Sequence, residues 1–345
     1  MGLTVSHPVR HFQVCIPPEA VQPEVYTHQD ISHDLRFVDK RSTLTKIIDC
    51  VLAQLRDIVA MLQCIPNLIL IALNVKVDEA YCYTEKPEYW NKWKENSTGL
   101  HMLTHGFMAD PPVWDKYIRR IRKLDLQADI RAPFVPRKGN CNIEEATAPL
   151  RKMVLTYIED QIERKSNGEI PVHLYGISNG TRINLHLLPR LTEELVDRKI
   201  NERLKAKNLT LAIKTDGIAG PLRGSTNWRL RFGNSHWITR WIGEKYLGYS
   251  LDAMDDFKYQ SPSTMQLIET IRKIENLPNV KFKFNFYAST EDGVVVPYSS
   301  SLPVLGIGET HHIVHGHEHT SIINHVLPIV LETNAKWIEE VRKVR

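Results

Sequence analysis

The sequence has no long hydrophobic run. Its longest, Leu68 to Leu73, falls far short of the roughly 20 apolar residues a membrane-spanning helix needs, so no such helix is expected. Cysteine is sparse. The five residues Cys15, Cys50, Cys64, Cys82 and Cys141 are scattered, odd in number and without C-x-x-C spacing, so neither a disulfide framework nor a zinc ribbon is expected. An excess of one charge is also missing. Lys and Arg number 44 against 40 Asp and Glu, for a net charge of +4, and the two signs interleave, which argues against a nucleic-acid partner. The first residues lack a charged start followed by an apolar stretch, so no secretory leader is expected. Together these absences predict a protein of a reducing compartment, cytoplasmic by expectation. There is no internal repeat and no low-complexity tract.

What is present is enough for a large core. The chain has 345 residues, 42% of them hydrophobic, which suits one sizeable domain with an extension. Residues 1–40 are polar, with Pro8, Pro17, Pro18 and Pro23, and read as irregular structure or an arm over the domain. From 44 to 62 the apolar residues Leu44, Ile47, Ile48, Val51, Leu52, Leu55, Ile58, Val59 and Leu62 recur with helical period. A helix packing this face on the core is expected. A membrane-surface or partner-binding helix is the other reading, and the mixed charge of its polar side argues against lipid. Residues 67–77 read as a strand, and 79–98 as an aromatic loop or short helix.

From residue 100 strand and helix signals alternate. Strands are expected at 100–104, 128–135, 172–175, 209–213, 280–287 and 311–314. Helices are expected at 114–124, 143–164, 183 to about 206, 265–274 and 325–341. This predicts an α/β fold: a mostly parallel, doubly wound sheet with helices on both faces. Residues 226–262 break the alternation with Trp228, Trp237, Trp241, Tyr246 and Tyr249, and are expected to form a cap or lid. Residues 1–95 are then an N-terminal extension and 96–345 the main domain.

One stretch carries the chemistry. Val172-His173-Leu174-Tyr175 is β-prone, Gly176-Ile177-Ser178-Asn179-Gly180 fits G-x-S-x-G, and Ile183, Leu185, Leu187, Leu188 and Leu191 suit a helix. Strand, sharp turn and helix together make Ser178 a candidate nucleophile. A serine nucleophile needs a base, an orienting acid and donors for the oxyanion. On an open parallel sheet these come from loops after the strands. Asp292, before Gly293 and after the strand 280–287, is the acid candidate, with Asp216 and Asp252 in reserve. His319 is the base candidate, with His317 its nearest competitor. The backbone amides of Phe107 and Asn179 are the candidate oxyanion donors, Gly106 permitting close approach. Met108, Trp228 and Trp237 are candidate pocket walls. Lys199, Arg203, Lys205 and Lys207 read as a solvated helix end.

These stretches resemble the α/β-hydrolase family, and within it the lipases and esterases. The resemblance lies in Leu103-Thr104-His105-Gly106-Phe107 with Trp114 behind, Gly176 to Gly180, Ala219 to Ser225, and Asp292 to Pro297 followed by the His319 loop. It covers about residues 100–342. Two positions depart from the pattern: Ile177 where histidine is frequent, and Thr181 where a second glycine is frequent. The resemblance implies a carboxylic ester hydrolase working through an acyl-enzyme, with Ser178, Asp292 and His319 as triad. It implies no cofactor and no metal, and an acyl ester substrate. The aromatic cap favours an apolar chain and leaves room for peripheral lipid contact; oligomeric state is left open.

One rival comes from a different reaction class. His311, His312, His315, His317 and His319 crowd together, and Gly316-His317-Glu318-His319 matches the ending of metallophosphoesterases. The rest of that ligand set is missing from the sequence. A non-catalytic binding protein on a hydrolase fold is the remaining alternative.

Overall fold

Two ten-residue strands, β4 (Gly168–Ile177) and β5 (Leu209–Ile218), run side by side through the middle of the molecule and are buried along nearly their whole length. The computed structural model describes residues 24–27, 41–72, 92–107, 109–226, 256–274 and 277–343. Within them the elements run β1 (Glu24–Thr27), α1 (Thr43–Ala72), β2 (Leu100–Thr104), α2 (Asp115–Leu124), β3 (Asp129–Arg131), α3 (Ile143–Arg164), β4, α4 (Asn179–Asp197), α5 (Ile200–Ala206), β5, α6 (Pro262–Arg272), β6 (Val280–Ser289), β7 (Thr310–Val314) and α7 (Ile322–Lys343). The strands form one sheet in the order β1-β7-β6-β5-β4-β2-β3. The pairs from β3 through β7 are parallel, and β1 lies antiparallel on the β7 edge.

Strand alternation splits the core in two. Leu100, Met102, Val172, Leu174, Leu211, Ile213, Phe284 and Phe286 pack under α3, α4 and α6. Leu103, Tyr175, Ile177, Ile218 and Tyr287 face α2 and α7. Helix starts follow local chemistry. Asn142 caps α3 by accepting from the Glu145 amide at 2.8 Å, and Ser261 caps α6 from the Thr264 amide.

Several expectations need correcting. Residues 67–72 continue α1 rather than starting a strand. A short aliphatic run cannot be told from a helix end by periodicity, and the preceding turns carry it on. The strand expected at 128–135 spans only Asp129–Arg131, cut short before Pro133. The helix expected from 183 to 206 breaks at Lys199, whose φ of 54° is left-handed, giving α4 and α5. Residues 24–27, read as irregular, form an edge strand.

The largest correction concerns α1. Its apolar stripe was expected on the core, yet Leu44, Ile47, Ile48, Val51, Leu55, Ile58 and Val59 are exposed, from 41% to 68%. Its other side faces the body of the protein through polar contacts. Arg41, just before the helix, bridges Asp49 (2.5 Å) and Glu291 (2.6 Å); Gln54 donates to Glu318; and Arg56 donates to the Gly316 carbonyl at 2.6 Å. Polar partners, not a greasy groove, decide which way the helix turns. The expected cap at 226–262 is described only at Thr226 and from Asp256 onward, where Ser225 bridges to Lys258.

Candidate active site

Strand order reverses between β2 and β4, which are neighbours although β3 separates them in sequence. Such a switch point opens a crevice at the strands' C-terminal ends. Ser178 follows β4 there, with φ 53° and ψ −126°, a strained conformation for a residue with a side chain. Surrounding backbone holds it. The Ser178 amide donates to the Ile218 carbonyl at 2.9 Å, and the Thr181 amide donates to the Ser178 carbonyl at 3.0 Å. The turn is possible because its glycines are crowded: a Cβ on Gly180 would lie 2.1 Å from the Thr104 carbonyl oxygen, and one on Gly176 2.5 Å from Thr181. Thr181 itself, where a glycine is frequent, is seated by glycines elsewhere. Its side chain fills the space beside Gly217 and Gly220, and its hydroxyl donates to the Gly176 carbonyl at 2.9 Å.

The loop after β2 lies against the serine. A Cβ on Gly106 would stand 2.9 Å from Ser178 Cβ and 3.4 Å from Ser178 Oγ. His105, fully buried, fixes this loop. Its Nε2 accepts from the Val135 amide at 3.0 Å, so the proton sits on Nδ1 and is donated to the Gly106 carbonyl at 2.9 Å. Burial holds its pKa below the ordinary value, which keeps that neutral tautomer. A third loop closes in from the end of β3. Gly139, at φ 74°, sits by the Asn179 side chain, whose Nδ2 donates to the Gly139 carbonyl at 3.4 Å, and close to Phe107. Phe107 meets Phe257 edge-on at 5.2 Å, and the buried Arg182 guanidinium lies over Phe257 at 5.1 Å and 3.8 Å from Asp256. Burial lowers the Arg182 pKa to about 10. His105, Gly139 and Arg182 were not singled out from sequence for these roles. Position after β2 and after β3 was the available signal for the first two.

Asp292 and His319 meet. His319 Nδ1 and Asp292 Oδ2 are 2.8 Å apart, while Asp292 Oδ1 accepts from the Val294 and Val295 amides at 2.8 and 2.9 Å. The carboxylate is therefore oriented by its own turn before it meets the ring. That turn is pinned in turn by Ser225, whose hydroxyl donates to the Val294 carbonyl and accepts from the Val296 amide. The Gly293 amide donates to Glu318, beside the base, at 3.0 Å. His317 points elsewhere: its ring packs on His325 at 4.0 Å and its Nε2 lies 3.5 Å from Arg56. Burial, His325 and Arg56 push its pKa down to about 3.

The remaining histidines of the cluster are separately engaged. His311 Nε2 bonds the Pro303 carbonyl oxygen, His312 stacks on Tyr287, and His315 Nδ1 meets Thr290 Oγ1. No group of three metal-binding side chains converges among the described residues. Asp216, the reserve acid, lies inside β5 in an ion pair with Lys214. Asp252, Met108, Trp228 and Trp237, together with residues 227–255 of the expected cap, lie outside the described residues. No described helix is long and apolar enough to cross a membrane.

No family model and no curated protein matches the chain. Solved structures similar to it include the phospholipase PlaB from Legionella pneumophila, at 12% identity and TM-score 0.32, over 55% of this chain. The chain spans only 40% of that phospholipase's length. The peroxisomal α/β-hydrolase Lpx1 from Saccharomyces cerevisiae aligns over 71% of this chain and 78% of its own, at 11% identity and TM-score 0.40. Lipase B from Aspergillus fumigatus aligns over 70% and 52%, at 11% identity and TM-score 0.42. These likenesses are distant, and the chain's own topology is the firmer guide. With a parallel sheet that reverses order once and a serine mounted on the turn at the reversal, the chain has the α/β-hydrolase fold.

Proposed function

We propose that the chain is a serine hydrolase that cleaves carboxylic esters through an acyl-enzyme. The observation that carries this reading is the Asp292–His319 contact at 2.8 Å, formed across loops that follow β6 and β7, on the sheet edge where the strained Ser178 turn stands. In the proposed reaction His319 takes the Ser178 proton as the hydroxyl oxygen attacks the ester carbonyl. Asp292 accepts from His319 Nδ1, which fixes the tautomer and stabilises the imidazolium. The amides of Asn179, at the N-terminus of α4, and Phe107, after Gly106, receive the oxyanion. His319 then returns the proton to the leaving alcohol, and water releases the acid by the same route in reverse. No resident metal or organic cofactor is required in this scheme.

A fluorophosphonate probe and a chain-length series of p-nitrophenyl esters test it. Ser178→Ala is expected to abolish labelling and lower kcat on the order of 10⁴-fold or more without loss of fold. His319→Ala is expected to lose turnover to a similar degree. His317→Ala, whose ring faces His325, should cost less than about tenfold. A Ser178→Ala protein that kept a tenth of the activity would overturn the assignment, and a dead His317→Ala beside an active His319→Ala would move the base.

A further inference from the structure

The exposed stripe of α1 has a spacing that the hydrolase reading does not use. Leu44, Ile48, Val51, Leu55 and Ile58 follow one another at steps of four, three, four and three. That is the four-three spacing by which helices pair in a coiled coil, and the exposed Ile47 and Val59 widen the stripe on either side. The side opposite the seam is already occupied. Asp49, Ala53 and Arg56 lie toward the body, and Arg41, Gln54 and Arg56 tie the helix to Glu291, Glu318 and Gly316. The seam is thus presented outward on a held support.

We propose that this seam is a self-association surface, paired in solution with α1 of a second copy of the chain. Charge favours a like partner. Among the side chains described, every exposed residue of α1 is uncharged: Thr43, Leu44, Thr45, Ile47, Ile48, Cys50, Val51, Gln54, Leu55, Ile58 and Val59. Two copies laid seam to seam bring none of these described side chains into a like-charge pair, and a symmetric pairing lets one surface serve both sides. A lipid surface fits less well. Interfacial helices carry a basic flank toward the headgroups, whereas here Asp49 and Arg56, of opposite sign, are turned toward the protein. Contiguous exposed apolar surface of this extent on one element is the mark of an interaction site.

Sedimentation velocity on the full chain from about 1 to 50 µM tests the pairing. The expected result is a dimer for the native protein and a monomer for Ile48→Glu/Leu55→Glu, with unchanged far-UV circular dichroism and thermal midpoint. Both positions are solvent-facing, so the substitutions should not harm the monomer's fold; should they do so, the milder Val51→Thr is expected to weaken the dimer at least tenfold. A native protein that is monomeric throughout overturns the proposal. If that monomer floats with phosphatidylcholine vesicles the occupant is lipid, and if it does not, the chain's own residues cover the seam. A dimer that survives the double substitution also overturns it, since the contact would then lie elsewhere. None of these readouts depends on esterase activity, so failure here and failure of the hydrolase reading are separate results.

Discussion

Under α3, α4 and α6 the sheet presents Leu100, Met102, Val172, Leu174, Leu211, Ile213, Phe284 and Phe286, a continuous apolar surface. Under α2 and α7 the same strands present His101, His173, Tyr175, Lys214, Asp216, Asn285, Tyr287 and His312, all buried or nearly so. Lys214 Nζ contacts both Asp216 oxygens at 2.5 and 2.6 Å, Asn334 Oδ1 at 2.5 Å and Thr333 Oγ1 at 3.1 Å. Asn334 Nδ2 donates to the Tyr175 hydroxyl, which leaves that hydroxyl's proton for His101 Nδ1. Asn285 and Tyr287 donate to Asp216 from the neighbouring strand. Burial pushes the Lys214 ammonium below and the Asp216 carboxyl above their ordinary values, and each draws the other back. One face is thus held by non-directional burial, which tolerates small errors. The other adds to its own apolar cluster a set of directed bonds, where a missing partner leaves a charge stranded.

The sharpest way to break this contrast is Asp216→Ala, which leaves a buried ammonium without its counter-charge. A loss of about 3–5 kcal/mol in urea unfolding is expected. Replacing the pair by Lys214→Met with Asp216→Leu should recover most of that loss, because the desolvation cost disappears with both charges. If the double substitution were as damaging as the single one, the polar face would be serving more than electrostatic satisfaction.

Acid provides a milder probe of the same face. His312 stacks on Tyr287 at 4.5 Å, neither of its nitrogens has a hydrogen-bond partner among the described residues, and burial lowers its pKa to about 3. The unfolded chain binds a proton near pH 6.5 that the folded ring refuses. Stability from this group is therefore complete above about pH 6.5 and declines as pH falls toward 3. His312→Phe should be close to neutral at pH 7. It should also remove about 2 kcal/mol of the destabilisation seen between pH 7 and 5, at 1.36 kcal/mol per unit. Parallel acid slopes for the two proteins would count against it. The smallest effect belongs to the apolar face, where Ile213→Val should cost only about 0.5–1.5 kcal/mol and leave the acid slope untouched.

The same contrast explains what the sequence disclosed. Strands β2 and β6 and helix α3 were legible because their apolar residues keep a clean period, and α3 falls on its expected limits, Ile143–Arg164. β5 was read five residues too short, ending at Ile213, because Lys214 and Asp216 look like a strand leaving the core. Their pairing across to α7 is a contact between distant residues that no local pattern reports. Motifs and order pointed to Asp292 and His319 as partners, and the structure brings Asp292 to His319 rather than to His317. What escaped were supports: His105 pinned by Val135, Ser225 pinning the acid turn, and α1 turned outward by an ion pair to Glu291 and a hydrogen bond to the Gly316 carbonyl. Each depends on a partner far along the chain, where neither spacing nor propensity carries information.

The antiparallel closure of β1 on β7, with Glu24 opposite Ile313, has a consequence for how the protein is made. A ribosome adds roughly 5–20 residues each second, so the strand at 24–27 emerges on the order of tens of seconds before the edge it joins exists. Throughout that interval its backbone donors and acceptors have only water, or another nascent chain, to pair with. Closure of this edge therefore cannot precede the synthesis of β7, and until then the strand at 24–27 is exposed to pairing that the finished sheet denies it.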